Sequence, residues 1–220
     1  RGIGKAIAEN FESMGMTVIG LSRNNSDTKF NRTCDIRNES EVKRSIQGIL
    51  EDFKVIDILI NNAGIVTTNK FSETDLNTWN NVINTNLTGA FLLCKHVLPH
   101  MKTNKSGKIV NVSSIAARNY SKTASTEYTV SKYGLVGLTK QLAHEYGEYN
   151  ININCICPSQ TRTTMLERNI SSDQLKQLEK NIPLKKLATT NQVANVVSFL
   201  CSEESSYMHG AIVDINGGLM

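Results

Sequence analysis

Short apolar stretches alternate with amphipathic segments along the whole chain. Apolar runs bounded by turn residues predict strands, and apolar positions three and four apart predict helices. The predicted strands are 17–22, 32–36, 55–61, 108–114, 151–157 and 211–215. The predicted helices are 5–13, 39–53, 75–103, 125–147 and 191–201, with two short helices within 163–181. The segment 75–103 is expected to be one long or broken helix that ends near Pro99, because proline cannot continue a regular turn.

Regular alternation of strands and helices predicts an α/β fold with one parallel sheet covered on both faces. We expect a single domain over 1–220, a doubly wound sheet of the Rossmann type in three layers, with ligands at the carboxyl ends of the strands. The chain opens at Arg1 within what reads as a glycine turn leading into a helix. We therefore expect a first, central strand ahead of Arg1 that this chain lacks.

Composition narrows the classes of function. Of 220 residues, 40% are hydrophobic and 20% charged, which suits a packed core and excludes a disordered chain. A net charge of +4 without a long basic run predicts no nucleic-acid binding, and no apolar run is long enough to predict a membrane span. Five cysteines without zinc or redox spacing, and no signal peptide, indicate reduced thiols and the cytoplasm. His96 and His100 lack a third ligand, so we expect no metal.

Two short stretches suggest a nucleotide site. Gly2 and Gly4 precede a helix, and a helix N-terminus with close backbone favours phosphate, although such glycines often make only a turn. The next strand ends in Ser22 and Arg23, where a carboxylate would suit NAD. A serine and a guanidinium instead suit the 2′-phosphate of NADP, and Arg1 offers a second contact. The pattern favours NADP(H) over NAD(H).

Tyr128 and Lys132 lie four residues apart on one predicted helix. A phenol has a pKa of about 10, and a neighbouring ammonium lowers it towards the range useful for proton transfer. The pair alone is ambiguous, because lysine often follows tyrosine at this spacing by chance. Ser114, with Ser113 as a second candidate, ends a predicted strand nearby and offers a hydroxyl to a substrate carbonyl. Asn86 lies within the helical segment 75–103, where a break would let it bind water.

In this order along the whole chain, these motifs resemble the short-chain dehydrogenase/reductase family. The resemblance includes the glycine turn, "CDI" at 34–36, "NNAG" at 61–64, "NLTG" at 86–89, Y-x-x-x-K and "NGG" at 216–218. It implies that Asn86, Ser114, Tyr128 and Lys132 are catalytic, with Asn86 holding a water and Lys132 binding the nicotinamide ribose and lowering the pKa of Tyr128. The cofactor-binding residues that it implies, besides Tyr128 and Lys132, are Arg1, Gly2, Ile3, Gly4, Ser22, Arg23, Asp35, Ile36, Asn62, Ala63, Gly64, Pro158, Thr161 and Thr163.

Two departures from the family pattern affect the nicotinamide side. Ser159 stands where the family usually has glycine, and Ser114 precedes Tyr128 by 14 positions, slightly more than the usual interval. Serine disfavours a positive φ, so the local backbone is expected to differ there.

Within the family, the C-terminal part of the chain resembles 3-oxoacyl-(acyl-carrier-protein) reductases of fatty acid biosynthesis. Arg118, Lys122 and Arg162 are expected at the mouth of the site, where cations favour an anionic substrate, or else are only solvated surface. An acidic or nucleotide-linked sugar in surface polysaccharide biosynthesis is the alternative substrate, and a non-catalytic nucleotide sensor the alternative class. The resemblance implies a small carbonyl or alcohol substrate, possibly linked to acyl-carrier protein, and a homotetramer built on the long helices 75–103 and 125–147 and on the last strand. Residues 171–186 are expected to form a flap.

Overall fold

A computed structural model describes residues 1–24, 28–164, 166 and 171–219 of the chain. The helices are α1 (Gly2–Ser13), α2 (Glu39–Phe53), α3 (Leu76–Ile83), α4 (Gly89–Asn104), α5 (Thr126–Tyr146), α6 (Ser172–Asn181) and α7 (Thr190–Cys201). The strands are β1 (Ile19–Ser22), β2 (Phe30–Thr33), β3 (Ile58–Asn61), β4 (Gly107–Val112), β5 (Ile151–Pro158) and β6 (Ile212–Ile215). Strands and helices alternate as expected of an α/β fold.

The strands are all parallel, but they form two sheets instead of the expected one. β1 pairs only with β2, while the second sheet has the order β3-β4-β5-β6. Within the described ranges no strand pairs with the free edges of β1 and β3. The side chains of β1 are only partly buried, as are those of Ile58, Leu59 and Ile60 on β3. A strand ahead of Arg1 stays a prediction.

Two apolar layers lie on opposite faces of the strands, which gives the predicted three-layer order. One layer joins α2, α4 and α5 to the sheets through residues such as Val42, Val97 and Ile153. The other joins α1 and α7 through residues such as Phe11 and Val197. The period-3.6 pattern of these helices supplies one apolar face each, so the central strands are buried from both sides. All eight residues of β5 are buried.

The helix predicted for 75–103 is broken, but it does not end near Pro99. α3 passes through a π-helical turn at Asn84–Thr88 into α4, which continues to Asn104 with Pro99 inside it. Proline removes one backbone hydrogen bond, yet Val97, Leu98 and Met101 of the same segment are buried. Their packing outweighs the lost bond, so the prediction of an end at Pro99 was wrong.

Two other predicted boundaries differ from the structure. The strand expected at 32–36 is Phe30–Thr33, which places Asp35 and Ile36 in the turn that follows it. Of the two short helices expected within 163–181, one is α6. The other prediction falls on a stretch that includes 165 and 167–170, which lie outside the described residues.

Candidate active site

The carboxyl ends of β3, β4 and β5 lie side by side and bring three chain segments together. Asn61 pairs with Asn111, which pairs with Cys155, so the residues that follow these strands emerge at one edge of the sheet. They are 62–64 after β3, 113–114 after β4 and 159–163 after β5. The first turns of α5 supply Tyr128 and Lys132 to the same region. Ligands in open parallel sheets bind at this edge, outside the carboxyl ends of the strands.

Tyr128 is held at the start of α5 by a cap. Ser125 is the N-cap residue, and its hydroxyl accepts a hydrogen bond from the backbone N–H of Tyr128 at 3.4 Å. Ser114 caps the short helix Ile115–Ala117, where its hydroxyl accepts from the backbone N–H of Ala116 at 3.2 Å. The Ser114 hydroxyl lies close enough to the Tyr128 phenol to lower its pKa. The two hydroxyls predicted to face a carbonyl therefore lie together.

The pKa of Tyr128 shifts opposite to the direction expected from the sequence. Burial raises the pKa of the phenol above its ordinary value, and the hydrogen bond with Ser114 lowers it by less. The Lys132 amine lies 5.6 Å from the centre of the Tyr128 ring, and it does not reverse this shift. The phenol is therefore protonated at neutral pH, so the expected lowering by Lys132 is not found in this structure.

Lys132 is a buried amine with an uncommon environment. Its side chain is buried, and Nζ donates to the backbone oxygen of Val112 at 2.9 Å, at the end of β4. Burial lowers the pKa of Lys132 to about 8, and the nearby Cys155 and Cys157 side chains raise it by less. A buried amine with so few partners is a costly arrangement, and such perturbed groups concentrate at functional sites.

Asn86 lies in the π-helical turn and is buried, with 1% of its surface exposed. Its Nδ2 donates to the oxygen of Ile65 at 2.9 Å and to Oγ of Ser131 at 3.0 Å, and Oδ1 accepts from the N–H of Ile65 at 2.8 Å. Both amide hydrogens are thus used within the protein. The side chain ties the turn after β3 to α5, a positioning contact that the sequence did not predict.

The glycine turn meets the segments after β3 and β5. A Cβ built on Gly4 would lie 2.4 Å from Nδ2 of Asn62, so a side chain there would displace Asn62. A Cβ on Gly2, which has a φ of +60°, would lie 3.6 Å from Cγ2 of Thr163. A cavity of about 280 Å³ opens at this end of α1, lined among others by Lys5 and Arg162. Close-packed backbone at a helix N-terminus fits a phosphate group. The charges of Lys5 and Arg162 beside it are each shared with a glutamate, Glu9 and Glu179.

The other residues predicted at this side of the site are placed as follows. Arg1 is exposed at the start of α1, where its side chain makes no cap bond, and Ile3 packs partly buried between α1 and the sheet. Gly64 lies against two predicted catalytic residues, since a Cβ there would be 3.4 Å from Oδ1 of Asn86 and 3.5 Å from Nζ of Lys132. Ala63, between Asn62 and Gly64, is exposed.

The residues predicted to hold the adenosine end lie after β1 and β2. Ser22 donates through its hydroxyl to the oxygen of Asn24, and Arg23 is exposed. Arg37, which the sequence reading left out, donates through Nε to Asp35 at 2.9 Å. Its hydrogen bonds are the main cause that lowers the pKa of Asp35, and the charge of Arg23 adds to them.

Arg37 also reaches the helix beyond Asp35. Its guanidinium donates to Oδ1 of Asn81 on α3 at 2.7 Å, and Ile36 packs against Gly89 at the start of α4. The turn that carries Asp35 is therefore fixed to α3 and α4. The Asp35 carboxylate already accepts hydrogen bonds from Arg37. The sequence offered one signal for the contact between Arg37 and Asp35, which is that the arginine follows the aspartate by two residues.

Ser159 fits its position without strain. The described non-glycine residues with a positive φ are Lys54, Lys105, Asn150 and Lys185, so Ser159 does not adopt the conformation that serine disfavours. Pro158 ends β5, and the Ser159 N–H donates to the oxygen of Ile215 at 2.9 Å. The Thr161 hydroxyl donates back to Ser159 at 3.1 Å, and the Thr163 hydroxyl accepts from the N–H of Leu166 at 3.2 Å.

Two of the three cations expected at the mouth are neutralised. Arg118 donates to both carboxylate oxygens of Asp214 at 2.8 and 3.0 Å, and Arg162 donates to Glu179 on α6 at 3.1 Å. Lys122 has no ion pair among the described residues. Of the two readings left open, these ion pairs favour the one in which the arginines do not serve an anionic substrate.

The remaining candidate groups are accounted for by packing. All five cysteines are free and buried. Over the described ranges, no three His, Cys, Asp or Glu side chains cluster closely enough to bind a metal ion, and His96 and His100 bond to Glu39 and Asn104. In the same part of the chain, no helix combines the length and apolarity that a membrane crossing requires.

Comparison with known proteins finds similarity along the whole chain. A family model described as Enoyl-(Acyl carrier protein) reductase matches residues 1–220. The 3-oxoacyl-(acyl-carrier-protein) reductase FabG of Buchnera aphidicola subsp. Baizongia pistaciae is 34% identical over 230 residues, which cover 100% of this chain and 93% of that protein.

Two solved structures share the fold over nearly the whole chain. Ligand-free aldohexose dehydrogenase of Thermoplasma acidophilum has a TM-score of 0.93 and 32% identity, covering 99% of this chain and 89% of its own. ElxO, solved with NADP bound, has a TM-score of 0.92 and 31% identity, covering 99% and 94%.

Proposed function

We propose that this chain, which belongs to the short-chain dehydrogenase/reductase family and is an NAD(P)-dependent oxidoreductase, reduces 3-oxoacyl thioesters to 3-hydroxyacyl thioesters. The observation that carries the proposal is the placement of the half-buried Ser114 and Tyr128 and the buried Lys132 together at the carboxyl ends of the central strands. The full-length similarity to a 3-oxoacyl-(acyl-carrier-protein) reductase supports the substrate.

The residues around the glycine turn fit a dinucleotide cofactor. A side chain on Gly4 would crowd Asn62, Gly2 has a positive φ that disfavours one, and the cavity there is bordered by Lys5. We assign the phosphates to the start of α1, and the nicotinamide ribose to Lys132. When bound, NADPH supplies the hydride that adds to the carbonyl carbon.

Tyr128 and Ser114 act on the carbonyl oxygen in this mechanism. The Ser114 hydroxyl donates a hydrogen bond to the oxygen as negative charge develops, and the Tyr128 phenol gives that oxygen its proton. Lys132, when protonated, stabilises the phenolate that results. Because burial raises the pKa of Tyr128, the phenol carries at neutral pH the proton that reduction requires.

We propose NADP(H) as the cofactor. Arg23 is exposed at the end of β1 with Ser22 before it, where a 2′-phosphate meets a guanidinium and no carboxylate. ElxO, which is 31% identical, was solved with NADP bound. Asp35 lies close enough for the charge of Arg23 to lower its pKa, so the two groups flank one region.

A sugar is the second candidate substrate. The structure with a TM-score of 0.93 is that of an aldohexose dehydrogenase, so the same fold at 32% identity serves a sugar in that protein. The bonded states of Arg118 and Arg162 remove one reason to favour an acidic sugar. A nucleotide sensor without chemistry is disfavoured because Ser114, Tyr128 and Lys132 are all present and lie together at one edge of the sheet.

The direct test is consumption of the reduced cofactor, followed by absorbance at 340 nm with an acetoacetyl thioester. We expect turnover with NADPH and at least tenfold lower kcat/KM with NADH, because only NADPH engages Arg23. An aldohexose with NADP is the parallel assay. Turnover of the sugar alone contradicts the thioester assignment, and tighter binding of NADH contradicts the cofactor assignment. Tight NADPH binding without turnover of either substrate identifies a sensor.

We also propose that the chain assembles as a homotetramer through α4 and α5. Phe91 on α4 and Val130 and Tyr133 on α5 expose 46%, 42% and 46% of their surfaces, which is costly for apolar side chains on long helices. Sedimentation velocity at micromolar concentration is expected to give four times the mass of 24.3 kDa. A monomer at every concentration contradicts the assignment.

A further inference from the structure

Glu127, directly before Tyr128, is a buried carboxylate that the mechanism above does not use. None of its surface is exposed, although it is charged. Its partners are hydroxyls: Thr67 donates to Oε1 at 2.6 Å, and the Thr74 hydroxyl lies 3.4 Å from Oε2. Within the described chain it forms no ion pair. A wholly buried charge without a cation is expensive, so a purely apolar packing role is an inadequate explanation.

The hydroxyl groups around Glu127 donate their hydrogen bonds in one direction, towards the carboxylate. Thr67 has a single hydroxyl proton, and it donates this proton in a hydrogen bond to the Glu127 carboxylate, because an ionised carboxylate can only accept. The Ser125 hydroxyl lies 2.7 Å from the same Thr67 oxygen, so Ser125 must be the donor of that pair. The Ser125 oxygen in turn accepts from the backbone N–H of Tyr128. A directed chain therefore leads from the Tyr128 backbone to the Glu127 carboxylate.

This chain joins the first turn of α5 to the segment 66–74 that follows the β3 turn. A backbone bond supports the junction, since the Ser125 N–H donates to the Thr67 oxygen at 2.9 Å. Ile65, directly before this segment, is fixed separately, because the Asn86 side chain hydrogen-bonds both its backbone N–H and its backbone oxygen. The cofactor side of the loop thus has its own anchor, and Glu127 secures the part beyond it.

The carboxylate is ionised in the folded protein. Burial raises the pKa of Glu127, but the hydrogen bonds, that of Thr67 first among them, lower it by more, to below the ordinary value. An ionised acceptor keeps every hydroxyl of the chain in one orientation, which a protonated or apolar side chain would not do.

We propose that Glu127 is a positioning residue that acts through Thr67 and Ser125 to hold Tyr128 in its reactive position against the segment 66–74. The proposal rests on the proposed function, because it assumes that Tyr128 transfers a proton. A misplacement of about 1 Å costs roughly 100-fold in rate. Loss of the chain should therefore reduce turnover and leave nucleotide binding unchanged.

The two informative substitutions are Glu127→Ala and Glu127→Gln. Alanine removes the acceptor, whereas glutamine keeps one acceptor oxygen for Thr67. Its amide nitrogen can donate to Thr74, whose own proton already has a second acceptor in the oxygen of Lys70 at 3.2 Å. Glutamine is therefore the conservative variant, and Glu145→Ala, an exposed position on the same helix, is the matched control.

Turnover is measured per NADPH site, so that unfolded protein does not count. We expect kcat to fall about 10- to 100-fold in the alanine variant, to stay within about threefold in the glutamine variant and the control, and the Kd of NADPH to stay within about twofold in all. Unchanged kcat in Glu127→Ala overturns the proposal, as does loss of NADPH binding. A glutamine variant as slow as alanine overturns the hydrogen-bond basis.

Hydrogen exchange followed by mass spectrometry gives a readout that does not depend on activity. Peptides covering 66–74 and 125–128 are expected to exchange faster in Glu127→Ala and unchanged in Glu127→Gln. Equal exchange in alanine and wild type overturns the proposal. If wild type reduces no carbonyl at all, the proposed function fails, while the exchange experiment still decides whether Glu127 holds these segments together.

Discussion

Replacing Tyr128 with phenylalanine is expected to reduce turnover of a 3-oxoacyl thioester by about 10²- to 10⁴-fold, the usual contribution of a general acid. The ring stays and fills the same space, while the proton donor beside Ser114 is lost. The affinity for NADPH should change by less than about threefold, because Lys132 keeps its bond to Val112. Steady-state kinetics and titration of nucleotide fluorescence measure both quantities.

Tyr207→Phe is the matched control for this substitution. Tyr207 is fully exposed and lies outside both the proposed site and the proposed tetramer surface. It should retain wild-type kcat and KM. Wild-type turnover in Tyr128→Phe would remove the phenol from the mechanism, and a simultaneous loss of NADPH binding would mean that the ring serves the cofactor instead.

Replacing Lys132 with methionine is expected to abolish turnover and yet raise the melting temperature of the ligand-free protein. Burial lowers the pKa of this amine from 10.5 to about 8, which corresponds to roughly 3 kcal/mol of burial cost in the charged form. Loss of the hydrogen bond to Val112 destabilises the folded protein by about 1 kcal/mol, which offsets part of this gain. The net gain of about 2 kcal/mol predicts a rise of about 4–8 °C by calorimetry.

The gain from Lys132→Met should depend on pH with a defined sign. The folded protein binds this proton more weakly than the unfolded chain does, so the cost is complete below pH 8 and disappears between about 8 and 10.5. The difference in melting temperature should shrink over that interval. Lys140→Met, at an exposed position of the same helix, should show neither effect. A lower melting temperature for Lys132→Met at pH 7 would contradict the account.

Periodicity and turn chemistry predicted most of the fold, because these are local properties. The helix 39–53 agrees at both ends, since Asn38 supplies the cap and Val42, Ile46 and Ile49 the buried face. The end predicted at Pro99 failed because the packing of α4 depends on residues far away in sequence. Propensity ranks single residues, and tertiary contacts override it.

The structure brings predicted site residues close together, but their electrostatics differ from the prediction. The spacing of Tyr128 and Lys132 placed both on one helix face, but a pKa depends on burial, which spacing does not report. The same limit applies to Arg118, whose partner Asp214 lies 96 residues away. Glu127 carried no sequence signal beyond its place before Tyr128, and only the fold brought Thr67 to it.

The central claim is that the Tyr128 hydroxyl faces the reacting carbon of the cofactor. A crystal structure with NADPH and a 3-oxoacyl thioester analogue measures this directly. We predict that the hydroxyl lies within about 3.2 Å of the analogue's carbonyl oxygen, with Ser114 on the same oxygen and the nicotinamide C4 beside the carbonyl carbon. A Tyr128 hydroxyl turned away from the nicotinamide in that complex would contradict the account.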